Sequence, residues 1–328
     1  MEEDVTDSDV PILMEYIAVD GDDTIKAMTN FSITESNTLD SQGRDFVALV
    51  VLKHFDTWAK HSLGFNIGTS TLEKLAHRVT TEPVHYARFV KLVTMAEQRT
   101  NGNVFSNYPH ALHAIDVKYQ PDYRPSGRFI DQKVYYSAKH KIYGFKVECS
   151  VAPPGVAVDV SVHFPGSTSN LAILLDRAQV HRQMLRKRNG DATKLGSEST
   201  QFTNMWTMLV DKGYQGAGRV ARIIQLREKA RGGTLDRENL ARNKAISSDR
   251  VLAENYFGRM CGLWNTTYST FKWNENWFDT VGDFAWRWPT FMHRSPHAAG
   301  RSSARIPRAS ADMRPPKPSQ SPSVIVSK

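Results

Sequence analysis

YGFKVECSVA (143–152) and VAVDVSVHF (156–164), parted by Pro153-Pro154-Gly155, decide the fold. Both runs are rich in β-branched and aromatic residues and follow the period of 2 that a strand requires. Pro-Pro-Gly interrupts that pattern as a turn, so the two runs read as neighbouring strands. Upstream, ALHAIDVKY (111–119) and KVYYSA (133–138) have the same character. Downstream the period changes. Residues 168–190 read as helical, MWTMLVDKGYQG (205–216) holds an isolated late strand, and SDRVLAENYFGRMCGLW (248–264) reads as a strong helix. Adjacent strands, a helix, a late strand and a closing helix predict a mixed α/β domain whose sheet is flanked by helices.

Before the sheet the period is 3.6. FVALVVLKHFDTWAK (46–60) carries apolar residues at helical spacing, LGFNIGTS is a turn, and TLEKLAHRV (71–79) follows. Ser70 and Glu73 have the spacing of a capping box, and Leu72, Leu75, Ala76 and Val79 form one stripe. A further helix is expected across 84–97. This outline fits a helix-turn-helix, with Lys74 and Arg78 as candidate DNA contacts, and equally a small helical subdomain packed on its neighbour.

The chain has 328 residues and a formal charge of +8. Residues 1–40 hold eleven Asp/Glu and one Lys, so the remainder is strongly basic. A basic body suits a polyanion such as DNA, and equally a solvated surface rich in Lys and Arg. Residues 1–40 are expected to be an acidic, mostly disordered arm. Residues 287–328, with seven prolines and eight Lys/Arg against one Asp, are expected to be a disordered basic tail. Two cysteines, Cys149 and Cys261, exclude a disulfide framework, and the first residues lack the pattern of a signal peptide. No membrane span is predicted, and an intracellular location is expected.

Three carboxylates stand where chemistry would use them. Asp116 follows the apolar ALHAI, Asp211 follows MWTMLV, and Glu254 lies in the helix of 248–264 with Arg250 and Gly258 at i−4 and i+4. An acid beside an apolar strand must be paired, solvated or bound to a metal. Two strand ends and a helical Glu would together form an oxygen-rich pocket for Mg²⁺ or Mn²⁺. Acids that bridge surface cations would give the same spacing. Gly258 is expected to let the helix approach the sheet.

The segment KHKIYGFKVECSVAPPGVAVDVSVHFPGSTSNLAIL (139–174) resembles the DDE endonuclease domain of Harbinger/PIF-type transposases. The resemblance spans about residues 110–285, behind a helical region at 41–100. It rests on Ala114-Ile115-Asp116, Pro165-Gly166-Ser167, Asp211-Lys212-Gly213-Tyr214, and Glu254 with Phe257, Gly258 and Arg259. It implies an RNase H-like core and an Asp116-Asp211-Glu254 triad holding two divalent ions, Mg²⁺ or Mn²⁺. It also implies DNA cleavage and strand transfer in the nucleus, with a separate Myb-like DNA-binding partner in some systems; the oligomeric state stays open. Lys139, Lys141 and Lys146 become candidate phosphate contacts.

Two positions depart from the family pattern. Asn170 stands where an Asp is usual, and Asp116 is followed by Val117-Lys118 instead of Gly-Thr. Asn170 keeps the shape of Asp without its charge and is assigned beside the triad. The alternative is a catalytically silent, transposase-derived DNA-binding or scaffold protein. His110 and His113 are read as structural more readily than as functional, and the tryptophans between 264 and 288 as core.

Overall fold

The computed structural model describes residues 12–30, 32, 42–81, 92–188, 201–229, 233–282 and 284–286. All lie in one compact unit, Met1–Ser295; the basic tail and the first eleven residues fall outside the described residues. In chain order the helices and strands are α1 (Ile12–Thr29), α2 (Gln42–His54), α3 (Trp58–Phe65), α4 (Thr69–Thr81), α5 (Met95–Thr100) and β1 (Ala111–Pro121). Then come α6 (Phe129–Lys133), β2 (Tyr136–Ser137), β3 (Ile142–Ala152), β4 (Val156–Val160), β5 (Phe164–Pro165), α7 (Asn170–Asp176) and α8 (Ala178–Leu185). The last are β6 (Thr207–Val210), β7 (Ile223–Gln225) and α9 (Arg237–Leu263).

The sheet is mixed, as expected for an RNase H-like α/β core. The long strands β1 and β3 pair antiparallel, and β2, β5 and β4 follow one another along the other edge of β3. On the far side of β1 the pairing turns parallel, through β6 to β7. Side chains alternate across a strand, which sorts the packing onto two faces. Met208 and Val210 pack with Leu174 and Leu185 from α7 and α8, whereas Leu209 packs with Ala114 and Ile246 from α9. Helices therefore cover both faces.

The helical region before the sheet is built into the same core. Phe46 through Leu52 of α2 are all buried, in one cluster with Phe145, Val147 and Cys149 of β3 and Tyr256 and Met260 of α9. An all-round apolar helix is a core helix. Between α2 and α4 the chain forms a third helix, α3, capped by Thr57 and ended by Asn66 in the left-handed region. The stripe of Leu72, Leu75, Ala76 and Val79 is buried as its spacing predicts, and Lys74 and Arg78 stay exposed. Helix α4 starts at Thr69, which puts Ser70 inside it. The capping box lies instead at Thr94 and Glu97, whose side chains each accept from the other's backbone N–H.

Charge counting does not anticipate α1, which lies inside the acidic stretch. Ile25 is buried in the main core, Lys53 donates to the carbonyl of Ala27, and Asn30 donates to the Leu263 carbonyl at 2.7 Å. Of the tryptophans expected in the core, Trp264 and Trp286 are buried, Trp273 and Trp277 are half-buried, with Trp273 stacked on Trp58 at 4.5 Å, and Trp288 lies outside the described residues.

Candidate active site at the strand ends

Asp116 sits in the middle of β1, not at its end, because pairing with β3 carries the strand on to Pro121. What ends nearby is the parallel neighbour. The register pairs Ala114 with Leu209, and two further residues bring Asp116 and Asp211 side by side where β6 stops. The carboxyl ends of parallel strands are where open α/β sheets place ligand sites.

Arg250 of α9 joins the two acids. Its Nη2 lies 3.5 Å from Asp116 Oδ2 and its Nη1 lies 3.6 Å from Asp211 Oδ1. The neighbouring Asp249, also buried, fixes the rotation of α9 by accepting from the backbone N–H groups of Asn107 and Tyr108, each at 3.0 Å. Glu254 follows one turn after Arg250 and is exposed. Burial raises the Asp116 carboxyl above its usual range, and the negative charges of Asp211 and Glu254 push the same way; Arg250 and the Val117 N–H oppose them. Asp116 thus feels both other acids and shares the cation of Arg250 with Asp211.

Gly258 does not act as expected. It is exposed, and a Cβ added there would meet nothing within 4 Å. Helix α9 approaches the sheet instead through Ala253, which is wholly buried. Close approach is needed elsewhere. The Asp211–Tyr214 turn is a short 3₁₀ helix, and a Cβ on Gly213 would come 3.1 Å from Asn170 Nδ2. Asn170, the first residue of α7, therefore packs on the turn that carries Asp211.

A buried polar network supports this turn. Glu148 on β3 is wholly buried and accepts from Arg177 Nη1 at 2.8 Å and from Tyr214 Oη at 3.2 Å, with His181 Nε2 at 2.8 Å. Arg177 also donates to Asp159 at 2.6 Å. Sequence reasoning passed over Glu148, Arg177 and His181. The one signal was a Glu on an inward-facing position of an apolar strand, which burial permits only with partners. His113 is buried, and neither ring nitrogen has a hydrogen-bond partner among the described residues, in keeping with a structural role.

Of the three lysines singled out as phosphate contacts, Lys139 and Lys141 are exposed in the turn before β3. Lys146 is half-buried and donates to the Thr168 carbonyl at 2.6 Å.

The donor chemistry fits a divalent cation: Asp116 and Asp211 already share a positive group, and the charge of Glu254 reaches Asp116. The geometry gathers them less tightly. Among the described residues no group of three or more His, Cys, Asp or Glu is arranged to hold a metal ion. The guanidinium of Arg250 stands in the gap.

No described helix is long and apolar enough to cross a membrane. Residues 115–277 match the family model of the DDE superfamily endonuclease, which agrees with the resemblance read from the motifs at the level of that superfamily. No curated protein and no solved structure matches the chain.

Proposed function

We propose, with a DDE superfamily endonuclease domain at residues 115–277 as premise, that this protein cleaves DNA phosphodiesters with Asp116, Asp211 and Glu254 as its acidic triad. The observation that carries the reading is the pair of carboxylates side by side on adjacent parallel strands, where β6 stops, turned to one cationic group. The three acids would hold Mg²⁺ or Mn²⁺, and the bound ions would supply charge neutralisation for an attacking hydroxyl and a leaving oxygen.

The chain's own residues do the positioning. The β1–β3 pairing fixes Asp116, and Tyr214 and Asn170 set the turn that presents Asp211. Helix α9, clamped by Asp249, presents Glu254. Phosphate esters react through charge neutralisation and in-line positioning more than through a protein nucleophile, so no Ser or Cys is required. Lys139 and Lys141 are the phosphate contacts proposed nearest this sheet, and Lys74 and Arg78 those proposed on the helical region. Strand transfer to a DNA 3′-hydroxyl, action in the nucleus and a separate Myb-like DNA-binding partner belong to the same reading.

The test is nicking of supercoiled plasmid with Mn²⁺ by the wild type and by Asp211→Asn. Wild-type nicking that the variant loses supports the triad. Equal nicking by both removes it. No nicking by either, with plasmid still bound, selects the catalytically silent DNA-binding reading, which the guanidinium between the acids favours.

A further inference from the structure

We infer that Arg250 is a built-in competitor for the cation site: its guanidinium and a divalent ion contend for the gap between Asp116 and Asp211. The inference rests on the metal-dependent reading given above.

Arg250 is only 6 % exposed, so its charge is committed to this gap. Each terminal nitrogen faces one acid, at 3.5 and 3.6 Å. A well-formed guanidinium–carboxylate bond is about 2.7–2.9 Å long. Its Nε is buried with no hydrogen-bond partner among the described residues. The group is therefore held by charge and incompletely bonded. Arg177 shows the contrast within the same molecule: it reaches Glu148 at 2.8 Å and Asp159 at 2.6 Å and is fastened in place. A structural arginine resembles Arg177, and Arg250 does not.

The electrostatics explain why a positive group is needed. Two acids side by side on adjacent strands repel, and a cation between them relieves that repulsion. Arg250 supplies one charge where a divalent ion supplies two. The acids are also reachable, since the Asp116 and Asp211 side chains keep 22 % and 33 % of their exposure. An ion arriving from solvent meets the carboxylates without crossing the core. Among the described residues, withdrawal of Arg250 forfeits two long ion pairs and no short hydrogen bond.

Mn²⁺ binding to the full chain, followed by the electron paramagnetic resonance signal of free Mn²⁺, separates the outcomes. Arg250→Gln is expected to bind Mn²⁺ about tenfold more tightly than the wild type, because the competing charge is gone. Binding equal to or weaker than wild type overturns the inference while leaving the metal site intact. Absence of binding by both proteins overturns the metal-dependent reading and the inference with it. If Arg250→Gln does not fold, the wild type still decides. With arginine ¹⁵Nε labelling, and the Arg250 resonance identified by its loss in Arg250→Lys, Mg²⁺ should shift that resonance. An unmoved resonance under Mn²⁺-binding conditions overturns competition.

Discussion

The hydroxyl of Tyr214 donates to the buried carboxylate of Glu148 across 3.2 Å, fastening the turn that carries Asp211 to the inside of the sheet. Burial, and then the nearby charges of Glu148 and Asp116, raise the phenol well above its ordinary value, so it remains a donor at any physiological pH. Tyr214→Phe should cost about 1 kcal/mol, one net hydrogen bond. Glu148→Ala should cost about 3–5 kcal/mol, because it strips a buried partner from Arg177. Urea denaturation of both variants checks the ranking; equal costs would mean that the network is not centred on Glu148.

His163 ties the strand edge to the segment after α9. Its Nδ1 lies 2.9 Å from Asp279 and its Nε2 3.3 Å from Glu275. Burial pulls the imidazole down, but Asp279 and then Glu275 outweigh it, and the net shift is upward from 6.5. The protonated form is favoured in the fold, so its stabilisation is full below 6.5 and is lost as pH rises through the raised value. The stability difference between wild type and His163→Gln should be largest near pH ~5.5 and shrink by pH ~8.5, as read by thermal unfolding.

His113 works in the opposite direction. Burial first, then the charges of His181 and Arg177, lower it to about 3. The unfolded chain takes up a proton below 6.5 and the folded chain does not, so stability is full above 6.5 and falls as pH drops towards 3. The loss from this group approaches about 1.4 kcal/mol per pH unit in that window. His113→Leu should flatten the acid limb of the stability curve; an unchanged limb would place the acid sensitivity elsewhere.

Two glycines of the family motifs should behave differently on substitution by alanine. Gly166 is buried where a Cβ would strike the carbonyl oxygens of Tyr135 and Gly144, and both are backbone. Gly166→Ala should cost about 2–3 kcal/mol through forced backbone shifts. Gly258 is an exposed helix residue with open space around it, and Gly258→Ala should gain about 0.5–1 kcal/mol. Calorimetric unfolding of the pair tests both signs.

The lysines divide by prior commitment. Lys146 already donates to the Thr168 carbonyl, whereas Lys139 and Lys141 are exposed. The double variant Lys139→Ala, Lys141→Ala should weaken binding of duplex DNA and reduce the salt dependence by about two counterions, with slope about −0.9 per phosphate contact. Lys146→Ala should leave that slope unchanged and lower stability instead. A slope unaffected by the double variant would remove these two residues from the DNA contact.

Periodicity along the chain sufficed for the mixed sheet, the buried stripe of α4 and the closing helix, because each depends on near neighbours repeating every 2 or 3.6 residues. Residue chemistry singled out Asp116 and Asp211 as candidates, since an acid beside an apolar run is costly without a partner, and the family resemblance added Glu254 to them. Helix α1 was hidden by its acidic composition: its place depends on Ile25 and Asn30 meeting residues more than two hundred positions away, such as Leu263. Gly258 was misjudged because a glycine in a helix reads the same whether it faces a sheet or solvent.

The one-dimensional pattern thus determined the mixed sheet's long strands and the helices with a clear apolar stripe, and which side chains carry charge. Only tertiary structure decided that Arg250 stands between Asp116 and Asp211 and that Glu148 gathers Arg177, His181 and Tyr214 in the interior. The physical reason is that local preferences act over one or two turns, whereas the pairing of buried charges depends on strand register and helix rotation. Those are set by the packing of the whole core.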